Sequence, residues 1–162
     1  MKDTRTYVVW LSEHSTPERW AFVPKRAGTH TFECQEARVW KTARGVQKWI
    51  DAHRTTGAHY ATPVPLNGVI LNELVREYVL ANGGGKGRWR DYSIPTRLGV
   101  LEISVHDDWI ACVFDDTERA KQRFGHWKWN WGCGEREDPH VLFEQWKRAV
   151  DKLLIPREAA AL

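Results

Sequence analysis

The sequence predicts an α+β fold, antiparallel sheet with three main helices, and three features predict it. Short apolar runs rich in β-branched and aromatic residues recur between turn signals. Three longer stretches, 42–54, 67–81 and 139–154, carry apolar residues at helical spacing. Between the second and third of these stands Asn82-Gly83-Gly84-Gly85-Lys86-Gly87, with four glycines in five positions. Neither a helix nor a strand interior holds that composition at reasonable entropic cost, so it marks a break.

In chain order, Tyr7-Val8-Val9-Trp10-Leu11 is a short apolar run that predicts a buried strand. Trp20-Ala21-Phe22-Val23 predicts a second strand, closed by Pro24 and Gly28. His30 to Glu33 and Ala37 to Trp40 predict further strands, with Cys34 to Glu36 as a bend or bulge. Thr42 is an N-cap for a helix whose face carries Val46, Trp49, Ile50 and His53. Thr55 to Pro65, punctuated by Gly57, Pro63 and Pro65, predicts a loop. Asn67 opens a helix with the broad apolar stripe Ile70, Leu71, Leu74, Val75, Tyr78 and Val79, ending where the glycines begin.

Past the break, Val100 to Val105 alternates, with Leu101, Ile103 and Val105 on one face, and predicts a half-buried strand. Trp109 to Phe114 predicts a strand buried on both faces. Asp115-Asp116-Thr117 would cap a short helix carrying Ala120 and Phe124 and closed by Gly125. His126-Trp127-Lys128-Trp129-Asn130-Trp131 has a strict period of two, with the tryptophans on one strand face. Asp138-Pro139 starts the last helix, with the stripe Leu142, Trp146, Ala149 and Leu153. The resulting organisation is an N-terminal half 1–82, a basic Gly-rich connector 83–97, a C-terminal half 98–156 and a loose tail 157–162. Both halves follow a pattern of strands and then a Trp-bearing helix, which fits two similar halves packed together or coincidence within one α+β domain; helix 67–81 has no counterpart and favours coincidence.

Composition narrows the function classes. No apolar run is long enough to span a membrane. The start is too poor in apolar residues for a signal peptide, and the odd, scattered Cys34, Cys112 and Cys133 suit a reducing compartment, so a cytoplasmic location is expected. Ten tryptophans against one methionine put rigid aromatic area either in a core or on a contact surface. Lys and Arg number 11 against 8 Asp and Glu in residues 1–82, 4 against 1 in 83–97, and 9 against 12 in 98–162. A phosphate-binding surface is therefore expected in the first half and the connector.

Recognisable chemistry is scarce. A phosphate loop needs Ser or Thr after its Gly-Lys pair, and here Gly87 follows Gly85-Lys86. A dinucleotide fingerprint needs glycine where Arg88 stands. His126, Cys133 and His140 are evenly spaced but lack a local pair of ligands, so no metal or cofactor site is predicted. Asp107-Asp108 and Asp115-Asp116 fall at opposite ends of a strand, which makes them turn and cap residues. No nucleophile has an identifiable base, and no catalytic residue is predicted.

The three-Trp strand fits a base-stacking platform, with Lys128 or Arg123 at the backbone, or the layer on which the last helix packs; the helix that follows favours packing. Trp89 is different. It sits between Arg88 and Arg90 in the glycine-rich stretch, which has the composition of a hot spot. The leading expectation is a non-catalytic protein that engages nucleic acid or a nucleoprotein complex. Its binding residues are Lys86, Arg88, Trp89, Arg90 and Arg97, aided by Lys41, Arg44 and Lys48. A protein–protein inhibitor or adaptor with a specific protein target is the alternative, and a zinc enzyme the third.

Overall fold

The computed structural model describes residues 5–16, 19–53, 61–106, 109–115, 123–128 and 138–154. The chain forms two compact units, Met1–Ile70 and Leu71–Leu162. Among the described residues are three α-helices and two antiparallel sheets, so the expected α+β class holds.

In the first unit, β1 (Tyr7–Leu11) is central, and α1 spans Ala43–His53. Thr42 Oγ1 accepts from the Gly45 N–H at 3.0 Å, giving α1 the expected N-cap. A strand β2 (Ala61–Pro65) pairs antiparallel with β1, where the sequence predicts loop. Its prolines are admissible because of register. Tyr7 exchanges both backbone hydrogen bonds with Trp40 on the other side of β1, so Tyr7–Pro65 and Val9–Pro63 are pairs that need no N–H from β2. Residues 20–40 do not form the predicted strands. They contact the unit through isolated bridges at Phe22, Pro24, Thr31, Ala37 and Trp40, because Pro24 and a 3₁₀ turn at Cys34–Glu36 interrupt any longer ladder. Alternate residues of β1 enter two small cores, Tyr7 and Val9 with Val23, Val46 and Ile50, and Val8 with Phe22, Ala37 and Val69.

The division between the units falls inside α2 (Leu66–Ala81) rather than at residue 82, because burial changes partners along that helix. Val69 belongs to the first unit's core, whereas Leu71, Val75, Tyr78 and Val79 belong to the second's.

The second unit is a meander of β3 (Gly85–Lys86), β4 (Tyr92–Thr96), β5 (Gly99–Val105), β6 (Trp109–Phe114) and β7 (Arg123–Lys128), each antiparallel to the next. Among the described residues the two units differ in sheet size, two strands against five. Phe124 and Gly125 lie in β7, Gly125 opposite Cys112, so the short helix expected to carry them does not reach that far. One face of the sheet (Ile94, Leu101, Ile103, Ile110, Cys112, Phe114) packs against the later part of α2 and α3 (Pro139–Asp151). Asp138 caps α3 by accepting from the His140 N–H at 2.9 Å. Trp127 is half-buried against this core, as the packing reading of the Trp strand expects; Trp129 and Trp131 lie outside the described residues.

Trp146 is wholly buried and donates its indole N–H to Cys112 Sγ at 3.2 Å. Burial pushes the Cys112 thiol from an ordinary 9.0 up to about 12, and the Tyr92 phenol from 10.0 up to about 12. Below the unfolded values both states keep these protons, and stability is independent of them. Above pH 9 the unfolded chain loses its protons first, so stability falls until about pH 12. Unfolding midpoints measured from pH 8 upward should decline, with a shallower decline in Cys112→Ala.

Candidate binding loop and its anchor

The glycine-rich stretch is ordered by close approach. Gly83 takes a positive φ of +80° as the chain leaves α2, and the Gly84 N–H donates to the Val79 carbonyl at 2.9 Å. A Cβ on Gly84 would collide with the Ser93 carbonyl oxygen, and one on Gly87 with the Arg90 carbonyl oxygen. The stretch that the glycines mark as a break is thus itself ordered. Residues 85–86 and 92–96 are strand, and 87–91 is a turn between them.

That turn rests on the sheet face opposite the helices. Strand alternation places Leu101 and Ile103 in the core and Glu102 on the other side, yet Glu102 is only 1% exposed. The turn covers it. Glu102 Oε1 accepts from the Arg88 N–H at 2.8 Å and the Trp89 N–H at 3.3 Å. Its Oε2 has no hydrogen-bond partner among the described residues, and a Cβ on Gly87 would stand 2.5 Å from it. Asp91 closes the turn. Its backbone carbonyl accepts from the Gly87 N–H at 3.3 Å, and its Oδ2 accepts from the Val105 N–H at 2.8 Å.

What the turn presents is Trp89, 70% exposed. Its indole N–H donates to Asp115 Oδ1 at 3.2 Å, and the Arg88 guanidinium lies 5.0 Å from its ring centroid. Lys86, Arg88 and Arg90 are exposed and have no ion pair among the described residues. Among the described residues the nearby acids equal them in number, but point elsewhere. Glu102 and Asp91 face backbone amides and Asp115 the indole, which leaves the cationic groups turned to solvent. The exposed Val100 lies on the same sheet face, and its carbonyl accepts from the Asp115 N–H.

The other predicted binding residues are elsewhere. Arg97 is at the far end of β4, where its Nε donates to the Lys152 carbonyl at 3.2 Å and its backbone N–H to the Leu153 carbonyl at 3.0 Å. It ties the β4–β5 turn to the end of α3. Lys41, Arg44 and Lys48 are exposed on the first unit. Of the metal candidates, His140 is exposed on α3, while Cys133 and the His126 side chain lie outside the described residues. Among the described residues no three His, Cys, Asp or Glu side chains gather as a metal site. Sequence reasoning missed Glu102 and Asp115 as the loop's supports; the one signal was an acid between the apolar Leu101 and Ile103.

No protein-family model, curated protein or solved structure matches this chain.

Proposed function

We propose that this is a non-catalytic binding protein that grips an unpaired nucleic-acid strand, free or within a nucleoprotein complex, through the 86–90 turn. One observation carries the reading: an exposed Trp89, fixed through its backbone to a buried carboxylate, stands among cations that no carboxylate of the described residues pairs with. Stacking a base on such a ring contributes about 1–3 kcal/mol, and a turn already held in place loses little further entropy on binding. Lys86, Arg88 and Arg90 supply the phosphate contacts. The scattered cysteines support a cytoplasmic setting, and no helix among the described residues is long and apolar enough to cross a membrane.

The test is anisotropy of labelled single-stranded oligonucleotides across salt concentrations. Three phosphate contacts at the turn contribute about −2 to the log–log salt slope, and Trp89→Ala weakens binding about 5- to 100-fold. Binding indifferent to salt and to Trp89 contradicts the proposal. The balanced local charge and the exposed Val100 favour a second reading, in which Trp89 is the hot spot for a protein target. Capture of one specific protein from nuclease-treated lysate, lost in Trp89→Ala, selects that reading.

A further inference from the structure

The first unit carries an aromatic row that the turn around Trp89 does not explain. Arg38 lies over the Trp40 ring at 4.8 Å, Trp40 packs tilted on Trp49 at 5.6 Å, and His53 stacks on Trp49 at 4.1 Å with an interplanar angle of 17°. Trp40 lies beside the first turn of α1, its Cδ1 3.7 Å from where a Cβ on Gly45 would stand, an ordinary contact distance. All three rings remain partly exposed. The helix arranges its surface in adjacent stripes: Val46 and Ile50 in the core, then Gly45, Trp49 and His53, then Arg44 and Lys48, with Lys41 leading in.

Burial alone does not account for this arrangement. Between residues 38 and 53 the chain has four Lys and Arg (38, 41, 44 and 48) against the single acid Asp51. Among the described residues no ion pair holds any of those four cations. Partly exposed rings beside a row of unneutralised cations match a polyanion whose repeating units also carry flat aromatic groups. An acidic polypeptide would satisfy the cations and leave the rings unused.

We propose that the α1 face of the first unit is a second contact surface for a single-stranded nucleic acid, with Lys41, Arg44 and Lys48 meeting phosphates and the Trp40–Trp49–His53 row meeting bases. This rests on the nucleic-acid reading given above and adds a site to it. The experiment uses the full chain with a labelled oligonucleotide carrying 5-iodouracil, which crosslinks under light to aromatic side chains stacked on it.

Crosslinks in the peptides holding Trp40, Trp49 or His53 are expected. The exposed triple reversal Lys41→Glu, Arg44→Glu, Lys48→Glu should make the salt slope shallower by about 2 and weaken binding about tenfold or more. Crosslinks at Trp89 alone, with the reversal silent, overturn this proposal and leave the first reading standing. No salt-dependent binding by the unaltered protein overturns both. Equal displacement of the oligonucleotide from the α1 face by polyglutamate and by unlabelled oligonucleotide, with no crosslink there, makes the surface a simple charge patch and overturns the proposal. Retained far-ultraviolet dichroism confirms that the reversal variant is folded.

Discussion

Trp146→Ala is expected to destabilise the second unit by about 3–5 kcal/mol, the range for deleting a fully buried aromatic side chain. Trp146 is among the largest wholly buried side chains, meeting Tyr78 edge-on with ring centroids 5.2 Å apart and Phe143 at 5.9 Å. It also satisfies its indole N–H on Cys112 Sγ, so no polar group is stranded by its burial. Truncation leaves a cavity between α3 and the sheet that rigid neighbours fill only in part. Against a typical total of about 5–15 kcal/mol, that loss is a large fraction. Urea unfolding followed by circular dichroism gives the measurement. A loss below about 1 kcal/mol would mean that the helix does not pack as described. Trp146→Phe should recover much of the loss, since it restores ring volume without the N–H.

Gly87→Ala is expected to displace the binding turn, with a local cost of about 1–3 kcal/mol, typical of a forced overlap. The added methyl has no room between the Arg90 carbonyl and Glu102, and the former is backbone that cannot swing aside. Oligonucleotide affinity should fall about as far as in Trp89→Ala, roughly 5- to 100-fold, because both changes remove the same positioned ring. Glu102→Ala separates position from stability. It removes a buried carboxyl with one oxygen unpartnered among the described residues, a burden on folding, and frees two part-buried amides of an exposed turn. Global stability should therefore move by less than about 1 kcal/mol while affinity drops. A Glu102→Ala variant that binds normally would show that the anchor is dispensable.

The parts of this fold legible from sequence are those set by local periodicity and caps. β1, α1, α2, β5, β6 and α3 fall close to their expected places because each carries its own pattern, and Thr42 and Asp138 cap as their types suggest. What escaped depends on partners distant in the chain. Pro63 and Pro65 look like loop residues until it is known which edge of β1 faces them. The glycines look like slack until the Ser93 and Arg90 carbonyls are in place. Trp89 was legible as exposed, since a large ring flanked by arginines in a glycine-rich stretch has little to pack against. Glu102 was not, because an acid on an alternating strand is written the same way whether it meets water or a folded-back turn. Arg97 matched the basic stretch in composition, but its hydrogen bonds go to the end of α3 and not to the turn that carries Trp89.

Hydrogen exchange at the amides of Arg88 and Trp89 tests the anchored turn most directly. In the unaltered protein the Arg88 amide should exchange about 10- to 100-fold more slowly than in Glu102→Ala, because a hydrogen bond to a carboxylate contributes about 1.5–3 kcal/mol and each 1.4 kcal/mol is tenfold. Equal and rapid exchange at both amides in the two proteins would contradict a turn held on Glu102, and with it the claim that Trp89 is presented ready to bind.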